Sequence, residues 1–238
     1  MKSLHIFIFL GLFSAATYAQ TVTLPPYYGV QSSTFKCGIS TVKDYEGNVY
    51  NTVKIGNQCW LKENLRSTKY NDGATIPNVT DGTTWANLTT PAYCWYDNNY
   101  ATYGSVYGAL YNWYTVETEK LCPIGWHVPS DAEWTELTGF LGGESVAGGK
   151  LKETGTTHWV SPNTGATNVT GFTALPGGYR GVEGVSYYNL IGYAGCWWSW
   201  HPVWASIGAM NYDESSVARL NYIDFGLKNG YSVRCVKD

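Results

Sequence analysis

The stretch "LCPIGWHVPSDAEWTEL", residues 121–137, sets a cysteine, a Pro-Ser-Asp start signal and a tryptophan-bearing helix close together in the chain. Taken alone, Asp131 and Glu133 would make a general acid and base. The local sequence gives both carboxylates another task. Ser130 is a good N-cap, Glu133 three positions on completes a capping box, and Asp131 stands near the positive end of the helix dipole. Pro129 keeps residue 128 extended at the entry, Trp134, Leu137 and Leu141 recur on one face, and Gly142-Gly143 ends the helix. Cap duty is the stronger assignment, so the stretch is expected to be framework.

Other reactive residue types are scattered. His127, His158 and His201 have no evident carboxylate partner in sequence, and neither "GYR" nor "GCW" forms a nucleophile elbow, so no catalytic residues are assigned. The six cysteines, at 37, 59, 94, 122, 196 and 235, include no CxxC pair, and the four histidines are dispersed; neither a metal site nor a cofactor is expected.

The first 19 residues join Lys2, an apolar run from Leu4 to Phe13 and a small-residue exit at Thr17-Tyr18-Ala19, and read as a secretory signal peptide cut after Ala19. The apolar run is short for a bilayer, and no second one offers a membrane span. The expected product is secreted, extracellular or periplasmic. In such a compartment an even cysteine count favours disulfides. Cys37 and Cys59 flank a hairpin-like stretch with its turn at Glu46-Gly47-Asn48 and could close it. Cys122 and Cys235 would tie the central helix to a terminal strand, leaving Cys94 and Cys196 as a pair by elimination.

Charged residues make up 14% of the chain and the net charge is −3, which gives no basic footprint for nucleic acid. The 20 Tyr and 11 Trp, with 27 Gly, suit a loop-rich domain whose aromatics both pack and recognise. Residues 20–36 form a Pro- and Ser-containing lead-in to a domain over 37–238. Val106, Leu110, Tyr111 and Tyr114 predict a first amphipathic helix over 103–116, and the cap at Ser130 a second. Residues 148–181 read as ordered loops and short strands, "CWWSW" (196–200) as a buried strand, and "YSVRCV" as the last strand. The pattern is α+β: two helices with short antiparallel strands and long ordered loops.

The blocks "DYEGNVYNTVKIGNQCWLKENL", "YNDG", "LYNW", "LCPIGWHVPSDAEW", "GGKLKETG", "GFTALPGGYRG", "WWS" and "YSVRCV" resemble, in order, those of the Fibrobacter succinogenes major paralogous domain. That family resembles the C-type-lectin-like fold of formylglycine-generating enzymes, where "HVPSDAEWT" (127–135), "GGYR" (177–180) and Tyr231 to Arg234 have counterparts. The resemblance implies this fold and a framework role for the opening stretch. The enzymes use two neighbouring cysteines before the terminal strand to bind copper; here "RLNYIDFGLKNGYS" (219–232) has none, and Cys235 alone does not supply the pair. Lectins of this fold hold calcium through a Glu-Pro-Asn-like loop and a Trp-Asn-Asp run. This chain has "SPN" (161–163) and no such run, so lectin-type calcium use is not expected.

A secreted, non-catalytic module binding an extracellular glycan or protein is the leading expectation, ahead of a structural envelope component and of a degenerate oxidase. Ligands of this fold are often met by late loops. In "WHPVWASIGAMNYDESSVARLNYIDFGLKNG" (200–230) the candidates are Trp200, His201, Trp204, Tyr212 and Tyr222 for stacking, and Asp213 and Asp224 for accepting hydrogen bonds.

Overall fold

The computed structural model describes residues 35–182, 187–201, 203–222 and 224–238, with main chain only at Tyr222, Asp224 and Phe225. The expected signal peptide and nearly all of the lead-in lie outside the described residues. The first hairpin forms where the sequence places it: β1 (Val42–Lys43) pairs antiparallel with β2 (Val49–Tyr50). Asp44 builds the turn, its Oδ1 accepting the Glu46 and Asn48 amides at 3.0 and 2.9 Å. A second hairpin follows, β3 (Thr52–Ile55) with β4 (Gln58–Leu61).

After α1 (Gly82–Ala86) and β5 (Tyr93–Cys94), the segment expected as one helix over 103–116 breaks into pieces. A π-helical turn (Tyr100–Gly104) runs into α2 (Ser105–Tyr107), then comes β6 (Leu110–Tyr111), paired with β5, and α3 (Trp113–Val116). Gly108 is where the helix fails. Its φ is +80°, and a Cβ there would lie 2.7 Å from the Leu65 carbonyl oxygen. Leu110 and Tyr111 are still buried, but as strand residues, while Val106 is exposed.

β7 (Trp126–His127) leads into α4 (Asp131–Phe140), which has the predicted capping box and buries Trp134 and Leu137, with Leu141 buried at its C-cap. A further helix, α5 (Glu144–Leu151), occupies the start of the expected loop region. Its glycines are packing residues: a Cβ on Gly148 would sit 2.1 Å from the Ser216 carbonyl oxygen, and one on Gly149 2.4 Å from that of Gly165. Close approach of helix to loop backbone explains this helix despite its poor propensity.

The remaining strands are β8 (Gly177–Gly181), β9 (Tyr187–Ile191), β10 (Ala194–Ser199), β11 (Ala205–Asn211), β12 (Ala218–Tyr222) and β13 (Val236–Lys237). They complete a five-stranded sheet, ordered β12-β11-β10-β8-β9, and a four-stranded sheet, ordered β3-β4-β13-β7. Pairing is antiparallel except between β8 and β10, which run parallel. The architecture is therefore α+β, with more and shorter helical pieces than the sequence suggests. "CWWS" is wholly buried in β10, whereas Val233 to Cys235 lie outside regular strand and only Val236–Lys237 form β13.

Three buried cations knit the loops to the cores. Lys152 donates to the Asn211 and Glu214 carbonyls (2.8 and 2.7 Å) over the Trp159 ring. Arg180 donates to the Val79 and Thr80 carbonyls (2.7 and 2.9 Å) over Trp85. Arg234 reaches the Phe172 carbonyl and the Asn64 amide oxygen, its guanidinium 4.2 Å from the Phe172 ring centre. Oriented dipoles and ring faces replace the water these charges give up. The desolvation still registers: burial lowers the Lys152 pKa to about 8 and the Arg234 pKa to about 9.

Cys37–Cys59 and Cys122–Cys235 are disulfides. The first joins the entry loop to β4 and so closes the stretch that holds the β1–β2 hairpin, as expected. The Cys94–Cys196 pairing is wrong: both are buried free thiols. On β5, Cys94 belongs to a small core with Trp85 and Leu110, while β10 turns Cys196 into the main core with Trp198 and Tyr231. Burial raises both thiol pKa values, Cys196 to about 12. Iodoacetamide should leave the native protein unlabelled and, after denaturation without reductant, modify Cys94 and Cys196 alone. Peptide mapping that finds no free thiol in the denatured chain would contradict this placement.

Candidate functional site

The capping box at α4 forms part of a wall. Leu121, Ile124, Trp126, Val128 and Trp200 give an apolar lining to a cleft of about 790 Å³, whose polar lining includes Asn71, Glu119, His127, Ser130, Glu133 and Asp238. Antiparallel pairing of β7 with β13 brings His127 beside the end of the chain. Main-chain bonds from Trp200 N–H to the Pro129 carbonyl and from Asp131 N–H to the Trp200 carbonyl (2.8 and 3.2 Å) tie Trp200 to the entry of α4.

His127 has the carboxylate partners that its sequence neighbourhood did not reveal. Its Nε2 lies 2.8 Å from Glu133 Oε1 and its Nδ1 2.6 Å from Asp238 Oδ1. The Glu133 hydrogen bond, with help from Asp238, raises the imidazole pKa to about 9 against the opposing effect of burial. Burial pushes the Glu133 carboxyl up, but the bonds from His127 and Ser130 together hold it below its ordinary range. At neutral pH His127 is thus an imidazolium that donates both N–H groups. It has no lone pair with which to act as a base.

This charge state has a measurable consequence. The folded state holds the His127 proton more tightly than the unfolded chain, whose value is near 6.5. The resulting stabilisation is fully present below pH 6.5 and is lost as pH rises through about 9. Melting temperature should fall across that interval more steeply in the wild type than in His127→Gln. Parallel curves for the two proteins would show that the clamp does not form.

The late-loop candidates divide between the two ends of β11. Trp200 lines the cleft, half-buried, and His201 follows it directly. The His201 ring stacks on Trp204 at 3.8 Å and 10° between planes, and the His201 Nδ1 accepts the Val203 amide at 3.2 Å. Trp204 is exposed. Tyr212 and Asp213 lie beyond the far end of β11, on the order of 25 Å away along an extended strand. There Tyr212 is half-buried against Tyr193, 5.3 Å between ring centres, and Asp213 is exposed. The main chain of Tyr222 returns to the Trp204 end by pairing with Ala205, and Asp224 opens a 3₁₀ turn over 224–228; the side chains of Tyr222 and Asp224 lie outside the described residues.

Asp131 is engaged as well. Its carboxylate pairs with Arg219 of β12, whose guanidinium also reaches the Ser199 hydroxyl at 3.3 Å. His158 pairs with Glu153 at 2.8 Å. In "SPN", Asn163 is buried, its amide donating to the Glu153 and Gly155 carbonyls, so it closes its own loop.

These features define an α+β domain with short, mainly antiparallel sheets and an open cleft beside its capped helix; among the described residues no helix is long and apolar enough to cross a membrane. The chain belongs to the Fibrobacter succinogenes major domain family, whose model matches residues 53–237. No curated protein and no solved structure matches it.

Proposed function

We propose that this protein is a secreted, non-catalytic binding module of C-type-lectin-like fold that recognises an extracellular glycan or protein in the cleft beside α4. The observation that carries the reading is the cleft itself: an apolar lining that includes the half-buried Trp200, together with the carboxylates Glu133 and Asp238 that hold His127 between them. Apolar walls with a few placed acceptors suit ligands that present an apolar face and hydrogen-bond donors, as sugar rings and peptide side chains do. His127, fixed between Glu133 and Asp238, positions these acceptors instead of shuttling protons. The two disulfides favour an oxidising compartment. The His201–Trp204 stack, next along the chain from Trp200, extends the recognition surface from the cleft.

The test is an array carrying glycans and short peptides, probed with the mature chain and with Trp200→Ala. A ligand held by the wild type should lose affinity by about tenfold or more in the variant, compared at a temperature where both proteins are shown to be folded, since Trp200 also packs against the main core. Equal signals from both proteins would remove the cleft as the binding site.

A further inference from the structure

Away from the cleft, two short segments meet in a surface of tyrosines. Residues 95–107, "WYDNNYATYGSVY", and 187–193, "YYNLIGY", contain a single charged residue, Asp97. They are joined by Tyr96, whose ring is buried beneath Tyr103 and Tyr188 at 5.1 and 5.2 Å between centres. The Tyr188 hydroxyl donates to Asn98 Oδ1 at 2.8 Å and locks the two segments together. The row continues from Tyr103 to Tyr107 (6.5 Å) and from Tyr107 to the His158 ring (5.8 Å).

The backbone under this row is unusual. Asp97 and Asn98 both have left-handed φ, 49° and 54°, and Asn99 caps the π-helical turn by accepting the Thr102 amide at 3.0 Å. Such turns recur at functional sites because they re-aim side chains out of helical register. Here the turn leaves Tyr100 49% exposed, propped against Trp95 at 4.8 Å, with Tyr103 and Tyr107 half-exposed further along. Tyr100, Tyr103 and Tyr107 therefore all keep exposed ring area, and the exposed side chains of Asn99 and Thr102 stand between them in the chain.

We propose that this tyrosine face is a second binding surface, separate from the cleft, and that it takes a neutral carbohydrate chain. Sugar rings present C–H faces that pack on aromatic rings, and their hydroxyls pair with side-chain amides and hydroxyls; both complements are here. Asp97 is the one charged residue of the two segments; the Arg180 guanidinium, 5.0 Å from the Tyr188 ring centre, is buried and donates to main-chain carbonyls, and His158 at the end of the row is paired with Glu153, so the exposed rings favour a neutral ligand. Supporting rings from below lowers the entropy lost on binding, since the contact residues are already fixed. A chain of several sugars, rather than a single one, matches an exposed Tyr100 followed in the chain by the Tyr103 and Tyr107 rings, 6.5 Å between centres.

Calorimetry with hexasaccharides tests this: α-1,4-, β-1,3- and β-1,4-linked glucose hexamers and a mannose hexamer against the mature chain. At least one should bind. The double variant Tyr100→Ala/Tyr103→Ala should bind it at least about tenfold more weakly with an unchanged melting temperature, while Tyr100→Phe/Tyr103→Phe keeps the affinity. If the alanine variant melts early, ring-proton shifts of Tyr100 and Tyr103 on saturating the wild type decide instead. Absence of binding by every hexamer overturns the proposal. So does affinity that depends on Trp200 and not on the tyrosines, or tyrosine rings that stay silent at saturation.

Discussion

Replacing Cys122 and Cys235 together by alanine should cost about 4–5 kcal/mol and lower the melting temperature by roughly 10–15 °C. The bond spans 113 residues, so in the chain-entropy description its loss releases a large loop in the unfolded ensemble. Its position adds a native-state effect. It fixes the segment leading into β7 and α4 to the chain just before β13, and Cys122 itself lines the cleft. Cys37–Cys59 closes only 22 residues, and its double alanine variant should lose less, about 3 kcal/mol. Thermal melts of the two variants give the order. A larger loss for the shorter loop would mean that local packing, rather than the long cross-link, governs stability.

The second large effect belongs to Asn64. Its amide oxygen accepts from Arg234 Nη2 at 2.8 Å, Arg234 Nε at 3.2 Å and Trp197 Nε1 at 2.8 Å, while its nitrogen donates to the Tyr107 carbonyl at 2.8 Å. Asn64, Trp197 and Arg234 are all buried, so no water stands ready to replace a lost acceptor. Asn64→Leu keeps the volume but strands a guanidinium and an indole N–H. It should cost about 3–5 kcal/mol, whereas Asn64→Asp retains the acceptor and should cost much less. Urea unfolding of the pair checks this, and a loss below about 1 kcal/mol in Asn64→Leu would show that the core rearranges around Arg234.

Which features the chain shows in advance follows from the range of the interactions. The Ser130 box is legible because cap, partner and apolar stripe all lie within about three helical turns. The β1–β2 turn is legible for the same reason, Asp44 bonding its own neighbours. Period alone misread 103–116, since Leu110 and Tyr111 have helical spacing from Val106 while Gly108 interrupts the backbone between them. α5 went unseen because its glycines look like loop residues until the Ser216 backbone is known to press on them.

The site divides along the same line. Glu133 lies six positions from His127 and was visible as a cap partner. Asp238 lies 111 positions away and arrives only through the β7–β13 pairing. Elimination paired Cys94 with Cys196 by assuming that every cysteine is bridged, but which core each strand faces decides that, and these two face different ones. Trp204 and Tyr212 are near in sequence yet at opposite ends of β11, because an extended strand carries the chain across the sheet.

One sample tests the binding reading most directly: residues 20–238 of the wild type, isotopically labelled, mixed with the strongest array ligand and followed by NMR for a day. The indole N–H signals of Trp126 and Trp200, which line the cleft, should move as the ligand saturates, and the ligand's own resonances should remain those of the starting compound. Unmoved indole signals at saturation, or the appearance of new ligand resonances from turnover, would contradict a non-catalytic module that binds in this cleft.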